Sequence, residues 1–162
     1  MNRDYKNFLS IIGAALFLIF LASFQVSFIN SSFLNLNLFL ILILYLVLTR
    51  NDSKALIFAW LGGTLTGLSY FSNFGINSLV LLILTAILII LYKTVFLTLK
   101  TESILLINTI GIALYHFLNW LITNREFGFY FFNYKILVEL ILTALVLLII
   151  FKIKAQNVQK FT

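Results

Sequence analysis

Long apolar runs, separated by short polar stretches, occupy most of this 162-residue chain. A helix needs about 20 mostly apolar residues to cross the roughly 30 Å hydrocarbon core of a bilayer. The pattern therefore predicts an all-α integral membrane protein, a bundle of six transmembrane helices that forms one domain over residues 1–162. The predicted spans cover residues 8–29, 33–49, 55–70, 76–92, 103–122 and 136–151.

The first apolar run, Phe8 to Ile29, follows a short charged segment and resembles a signal peptide in outline. It is longer than the 7–15-residue apolar region of a signal peptide, and no small-x-small cleavage site follows it. We therefore expect an uncleaved membrane anchor.

The connection between the fourth and fifth runs, Lys93 to Glu102, keeps apolar residues between its charges. Such a segment either extends the fourth helix beyond the membrane or lies along the membrane surface, with Lys93 reaching the headgroups. The pattern leaves both alternatives open.

The composition agrees with a membrane protein, because 62% of the residues are hydrophobic and only 10% are charged. So few polar residues cannot cover a water-soluble globule of this size. The net charge is +6, but the basic residues are scattered between apolar runs, so we expect no nucleic-acid partner. The chain has no cysteine and one histidine, so we expect no metal and no cofactor.

The distribution of basic residues predicts the orientation, since Lys and Arg near membrane spans are held on the cytoplasmic side. With both termini in the cytoplasm, six spans place nine basic residues inside and two outside. The inner residues are Arg3, Lys6, Arg50, Lys54, Lys93, Lys100, Lys152, Lys154 and Lys160, and the outer ones are Arg125 and Lys135.

Glu139 is the one acidic residue inside a predicted span. An ionisable residue at the centre of a membrane helix costs about 2.5–3.5 kcal/mol and is a candidate for function. Lys135 precedes Glu139 by four residues and lies on the same helical face. Glu139 is therefore interpreted either as paired with Lys135 near the interface or as a contact or ligand-binding residue.

The fifth span carries three polar residues, Asn108, His116 and Asn119, which share roughly one helical face. They form either a polar lining or ordinary interhelical hydrogen bonds, worth about 0.6 kcal/mol each. A dyad of His116 and Glu139 requires contact between the fifth and sixth spans, and no nucleophile or metal cluster completes it. We expect no enzymatic activity.

The third span contains Gly63 and Gly67 as a GxxxG pair, with Thr66 between them. Small residues at this spacing let a second helix approach closely. We expect these three residues to form a tightly packed contact, either within the chain or with a partner protein.

The order of features from the second span to the start of the fourth resembles the rod shape-determining protein MreD family. About 55 residues carry the resemblance: an apolar run with a basic end (Leu36 to Arg50), the Gly63–Gly67 pair, and a Ser/Asn-rich turn closing on Gly75. The family commonly has an acidic residue where this chain has Gly67, and a proline where it has Leu34–Leu36.

The resemblance implies a non-enzymatic inner-membrane component of the bacterial cell-elongation machinery. Its partners would be other membrane proteins, including an MreC-like protein, together with the lipid bilayer. The MreD family is similar in fold to the substrate-binding S components of energy-coupling-factor vitamin transporters, which are the alternative. An S component is expected to carry an Ala-x-x-x-Ala-like motif in its first helix. Here the residues four positions after Gly13, Ala14 and Ala15 are the large Phe17, Leu18 and Ile19.

Overall fold

The computed structural model describes residues 13, 16–25, 37–70, 75–95, 101–123 and 134–159, and these residues form six helices without any strand. The all-helical prediction is therefore confirmed for the described part of the chain. The helices are α1 (residues 16–24), α2 (Leu38–Leu48), α3 (Asp52–Tyr70), α4 (Ile76–Val95), α5 (Thr101–Thr123) and α6 (Tyr134–Gln159).

Within the part of the chain that the structure describes, three helices are long and apolar enough to cross a membrane: Ile76–Val95 in α4, Thr101–Ile122 in α5 and Tyr134–Ile153 in α6. Helix α2 is more apolar than these three but has only 11 residues, which corresponds to about 16 Å at 1.5 Å per residue. These three helices make the chain a membrane-associated helical protein.

Helix α2 begins at Leu38, after the capping residue Asn37, within the predicted span of 33–49. Residues 33–36 of that span lie outside the described residues. Asn37 has an extended backbone (φ −92°, ψ 99°), and its Oδ1 accepts a hydrogen bond from Leu40 N at 3.2 Å. Gln25 Oε1 accepts another from Leu38 N at 3.2 Å. Asn side chains are strongly preferred at this position, since they satisfy N–H groups that the first helical turn leaves without partners.

The ends of two other helices also differ from the predicted spans. Helix α4 continues through Lys93 to Val95, so the start of the ambiguous connection extends the helix. The rest of that connection up to residue 100 lies outside the described residues. Helix α6 continues eight residues beyond the predicted end at Phe151, to Gln159.

Helix α2 lies at the centre of the bundle and packs against α3, α4, α5 and α6. Five of its side chains are wholly inaccessible to solvent: Phe39, Leu40, Ile43, Leu44 and Val47. A helix that is apolar on every side needs neighbours on every side, and α2 has them. Glycines on neighbouring helices leave space for two large side chains of α2. A Cβ on Gly62 of α3 would collide with Phe39, and one on Gly111 of α5 would collide with Leu44.

Helices α3 and α4 run antiparallel and are the most extensively packed pair. At one level, Gly63 lies against the backbone of Ser78, and Ser78 Oγ donates to Trp60 O at 3.4 Å. At the other end of the pair, Lys93 forms a salt bridge with Asp52.

The salt bridge belongs to a group of contacts at one end of the bundle. The Arg50 guanidinium lies 5.9 Å from the centre of the Tyr92 ring, next to Lys93. The rings of Tyr45 and Phe151 pack at 5.6 Å. The end of α2, the start of α3, the end of α4 and the part of α6 around Phe151 therefore lie at the same end of the bundle.

Substituting Gly63 by alanine should destabilise the protein, since the new Cβ would lie closer than 3.0 Å to backbone atoms of Asn77 and Ser78. Backbone cannot move aside as a side chain can, so we expect a loss of about 1–3 kcal/mol, measured as a lower melting temperature in detergent. Gly13→Ala is the matched control. Gly13 is helical and exposed, and no atom of a described residue lies within 4 Å of its Cβ position, so alanine there should leave stability unchanged or raise it. Equal melting temperatures for the two variants would contradict the close contact.

Candidate functional site

The polar side chains of α5 meet those of α6 at one buried position. His116 Nε2 and Glu139 Oε2 are joined by a hydrogen bond of 2.8 Å. His116 is 7% exposed and Glu139 is 2% exposed, so both are shielded from solvent. A charge-assisted bond in such surroundings is stronger than one at a surface, because no water competes for either partner.

Asn108 provides a second link between the same two helices. It is fully buried, and its Nδ2 donates to Leu140 O at 3.1 Å. Leu140 follows Glu139 directly, so Asn108 and His116 reach neighbouring residues of α6. Their eight-residue separation is about two helical turns, which places both on the side of α5 that faces α6.

Thr143 lies one turn beyond Glu139 on α6 and is also fully buried. Its Oγ1 donates to Glu139 O at 2.8 Å. The hydroxyl is thereby satisfied within its own helix. The sequence analysis did not single out Thr143, although its four-residue spacing from Glu139 places it on the same face.

Two buried oxygen atoms of this cluster accept no hydrogen bond from any described residue: Glu139 Oε1 and Asn108 Oδ1. Most buried polar atoms in folded proteins have a partner, and leaving one without a partner costs about 1–3 kcal/mol. Both atoms are acceptors, and one belongs to a group that can be ionised.

Three of the four predicted polar residues take part in hydrogen bonds between α5 and α6, and Asn119 does not. Asn119 is half-buried, and its Nδ2 donates to Tyr115 O of its own helix at 3.1 Å. Lys135, the partner suggested by spacing, is half-buried one turn before Glu139. The side-chain hydrogen bond that the structure shows for Glu139 crosses to α5, which spacing within α6 cannot reveal.

The small residues of α3 lie on its inner side. Gly63, Thr66 and Gly67 are all buried. Gly63 rests against Ser78 of α4, so its close neighbour belongs to this chain. Thr66 Oγ1 donates to Gly62 O at 2.9 Å, so the buried hydroxyl has a hydrogen-bond acceptor within its own helix.

The His116–Glu139 pair is able to hold a proton and to link two helices. An imidazole and a carboxyl group are the side chains that most often exchange protons in proteins. Among the residues that the structure describes, no three His, Cys, Asp or Glu side chains cluster to hold a metal ion.

Comparison with known proteins gives no relatives. No family model matches the sequence, and neither the curated proteins nor the solved structures yield a similar chain.

Replacing either member of the pair by leucine should destabilise the protein by roughly 1–3 kcal/mol, because the remaining polar group stays buried without its partner. The double variant His116→Leu/Glu139→Leu should lose less than the sum of the two single variants. Thermal unfolding in detergent of the wild type and the three variants closes this double-mutant cycle.

Thr109→Val is the control for this cycle. Thr109 is exposed on α5, and the hydrogen bond that the structure shows for its hydroxyl goes to Leu105 O of the same helix, so loss of the hydroxyl should change stability by less than about 0.5 kcal/mol. Strict additivity of the two leucine substitutions would show that the His116–Glu139 contact contributes nothing.

Proposed function

We propose that this chain is a six-span membrane protein with both termini in the cytoplasm, which acts without catalysis by docking other membrane proteins. Following the resemblance to the MreD family, its place is the elongation machinery of the bacterial inner membrane. The observation that carries the proposal is the distribution of side chains. Polar and small side chains lie in the contacts between helices, and apolar side chains form the outer surface.

The outer face of α6 supports contact with lipid. Leu137, Ile141, Leu145 and Ile149 follow one another at four-residue intervals, and each is about half exposed. Contiguous apolar surface of this kind is rare on soluble monomers but suits the hydrocarbon core of a bilayer.

We interpret helix α3 as a further transmembrane span, although its composition is less apolar than that of α4, α5 or α6. Its small and polar residues Gly62, Gly63 and Thr66 are buried against other helices. Its outer side presents Ile57 and Trp60, each more than half exposed. The lower hydropathy of α3 thus arises from its inner face, and its lipid-facing side is apolar.

The end of the bundle that contains the Asp52–Lys93 salt bridge supports the orientation. Arg50, Lys54, Lys93 and Lys152 are all exposed there, at the ends of helices that meet. Basic residues concentrated at one end of a helical bundle are typical of the cytoplasmic side. This end is the surface that the proposal assigns to cytoplasmic partners.

Cysteine labelling tests the orientation directly, because the chain contains no cysteine and each variant carries a single thiol. In intact cells, a membrane-impermeant maleimide should leave Ser53→Cys unlabelled and should label Asn73→Cys in the next connection. Ser53→Cys should react once the membrane is opened. Labelling of Ser53→Cys in intact cells would contradict the proposed orientation.

Affinity purification from the native membrane, followed by mass spectrometry, tests the partners. We expect proteins of the cell-elongation machinery to co-purify with the wild type. An ATPase pair with a large transmembrane coupling subunit would instead establish the S-component alternative and overturn the docking proposal.

The variant Lys54→Gln/Lys152→Gln should recover at least several-fold less of these partners, because it neutralises two exposed charges at the proposed docking end. It retains seven inner basic residues, so the orientation should persist. Arg125→Gln, on the opposite side of the predicted topology, is the control and should recover partners like the wild type.

A further inference from the structure

The connection between α2 and α3 holds an arginine in a backbone conformation that usually belongs to glycine. Arg50 has a φ of 57°, and no other described residue apart from glycine has a positive φ. The N–H of Arg50 donates to Val47 O at 3.0 Å, and that of Asn51 donates to Leu46 O at 2.9 Å. These bonds form a Schellman motif, in which glycine is the usual residue at the position of Arg50 because it has no Cβ. What arginine adds at this position is an exposed positive charge.

The Arg50 side chain belongs to a patch that contains a second cation. Its guanidinium lies 5.9 Å from the centre of the Tyr92 ring, and Tyr92 is buried, so the ring is a fixed support for the charge. The next residue of α4, Lys93, is exposed and forms the salt bridge with Asp52, which follows Arg50 by two residues. We call these two cations, with Asp52 between them in the contact network, the Arg50–Lys93 patch.

The end of the bundle around the Arg50–Lys93 patch is also positively charged. Lys54 and Lys152 add two exposed cations there. Glu102, exposed at the start of α5, adds one acid to Asp52. The described residues of this end therefore comprise four bases and two acids, and their surface attracts anions.

Helix α4 places the patch at the level of lipid phosphates. Its 20 residues extend about 30 Å at 1.5 Å per residue, which matches the hydrocarbon core of a bilayer. Tyr92 and Lys93 lie in its last turn. In the membrane insertion proposed above, this turn therefore lies where the hydrocarbon core meets the headgroups. Arginine binds phosphate through two parallel N–H···O bonds, and lysine binds it as a point charge.

We propose that the Arg50–Lys93 patch binds the phosphate of one anionic phospholipid. Arg50 holds the phosphodiester, and Lys93 exchanges its salt bridge with Asp52 for the lipid phosphate. Basic sites between membrane helices are known to bind anionic headgroups in this manner. The inference rests on the proposed membrane insertion but not on the proposed protein partners, and the two lysines changed in the partner test lie outside the site.

The test measures the melting temperature of the purified full chain through the fluorescence of its two tryptophans. The chain is placed in nanodiscs of phosphatidylcholine alone, or of phosphatidylcholine with a rising share of phosphatidylglycerol at constant salt. Binding of the anionic lipid should raise the wild-type melting temperature by roughly 3 °C or more.

Arg50→Gly is the decisive variant, because glycine suits the backbone at this position and the variant should fold. It should lose most of the rise caused by phosphatidylglycerol. Arg125→Gln is the matched control. It removes the same charge on the opposite side of the predicted topology and should keep the full rise, since phosphatidylglycerol is present in both leaflets.

Asp52→Asn should change the response in the opposite direction. It removes the carboxylate that competes with the lipid phosphate for Lys93, so phosphatidylglycerol should raise its melting temperature more than that of the wild type. A variant that failed to fold could not show this gain. A rise no larger than that of the wild type would overturn the proposal.

Two further outcomes would also overturn it. If Arg50→Gly responds to phosphatidylglycerol as the wild type does, the patch binds no lipid and is left to the protein partners. If sodium phosphate raises the wild-type melting temperature equally in nanodiscs of phosphatidylcholine alone, the site binds soluble phosphate instead.

Native mass spectrometry provides a direct count of the bound lipid. The chain is released from mixed nanodiscs, and the retained phosphatidylglycerol molecules are counted. The wild type and Arg125→Gln should retain at least several-fold more than Arg50→Gly, and equal retention would contradict the site. Because these samples contain no partner proteins, failure of the lipid site and failure of the proposed docking function are recognised separately.

Discussion

Polar side chains buried among apolar helices impose the constraint on which this structure depends. Helices as apolar as α4, α5 and α6 offer few partners for a hydroxyl, an amide or a carboxylate. Each such group therefore bonds to its own backbone, as Thr85 and Thr143 do, or crosses to a neighbouring helix, as Asn108 and His116 do. Crossing bonds hold helices in one relative position, because a displaced helix would leave a buried polar atom without its partner.

The central position of α2 follows from a different requirement, which is space. Its large side chains enter the neighbouring helices where those helices carry glycine, with Phe39 at Gly62 and Leu44 at Gly111. A side chain on either glycine would have to displace the incoming residue. Gly62 belongs to α3, and the next residue of that helix, Gly63, lies against the backbone of α4. Two adjacent glycines of α3 therefore allow close contacts with two different helices.

The salt bridge between Asp52 and Lys93 is exposed enough to contribute little to stability, but it reports how the chain is arranged. It brings the start of α3 to the end of α4, as an antiparallel pair requires. Arg50, seated over Tyr92, occupies the same end. Basic residues that are far apart in the sequence are thereby assembled into one surface, which the proposed function assigns to the cytoplasm.

The sequence by itself determined that the chain is helical and which stretches become helices, because long apolar runs and local spacing are properties of neighbouring residues. It also singled out Glu139 and His116, since an acid and a histidine within apolar runs are conspicuous, but it did not single out Thr143. Only the tertiary structure decided that Glu139 bonds to His116 across two helices, that Gly63 is occupied by this chain's own α4, and that α2 lies at the centre. Contacts between helices depend on which faces meet, and periodicity within one helix contains no information about the face of its neighbour.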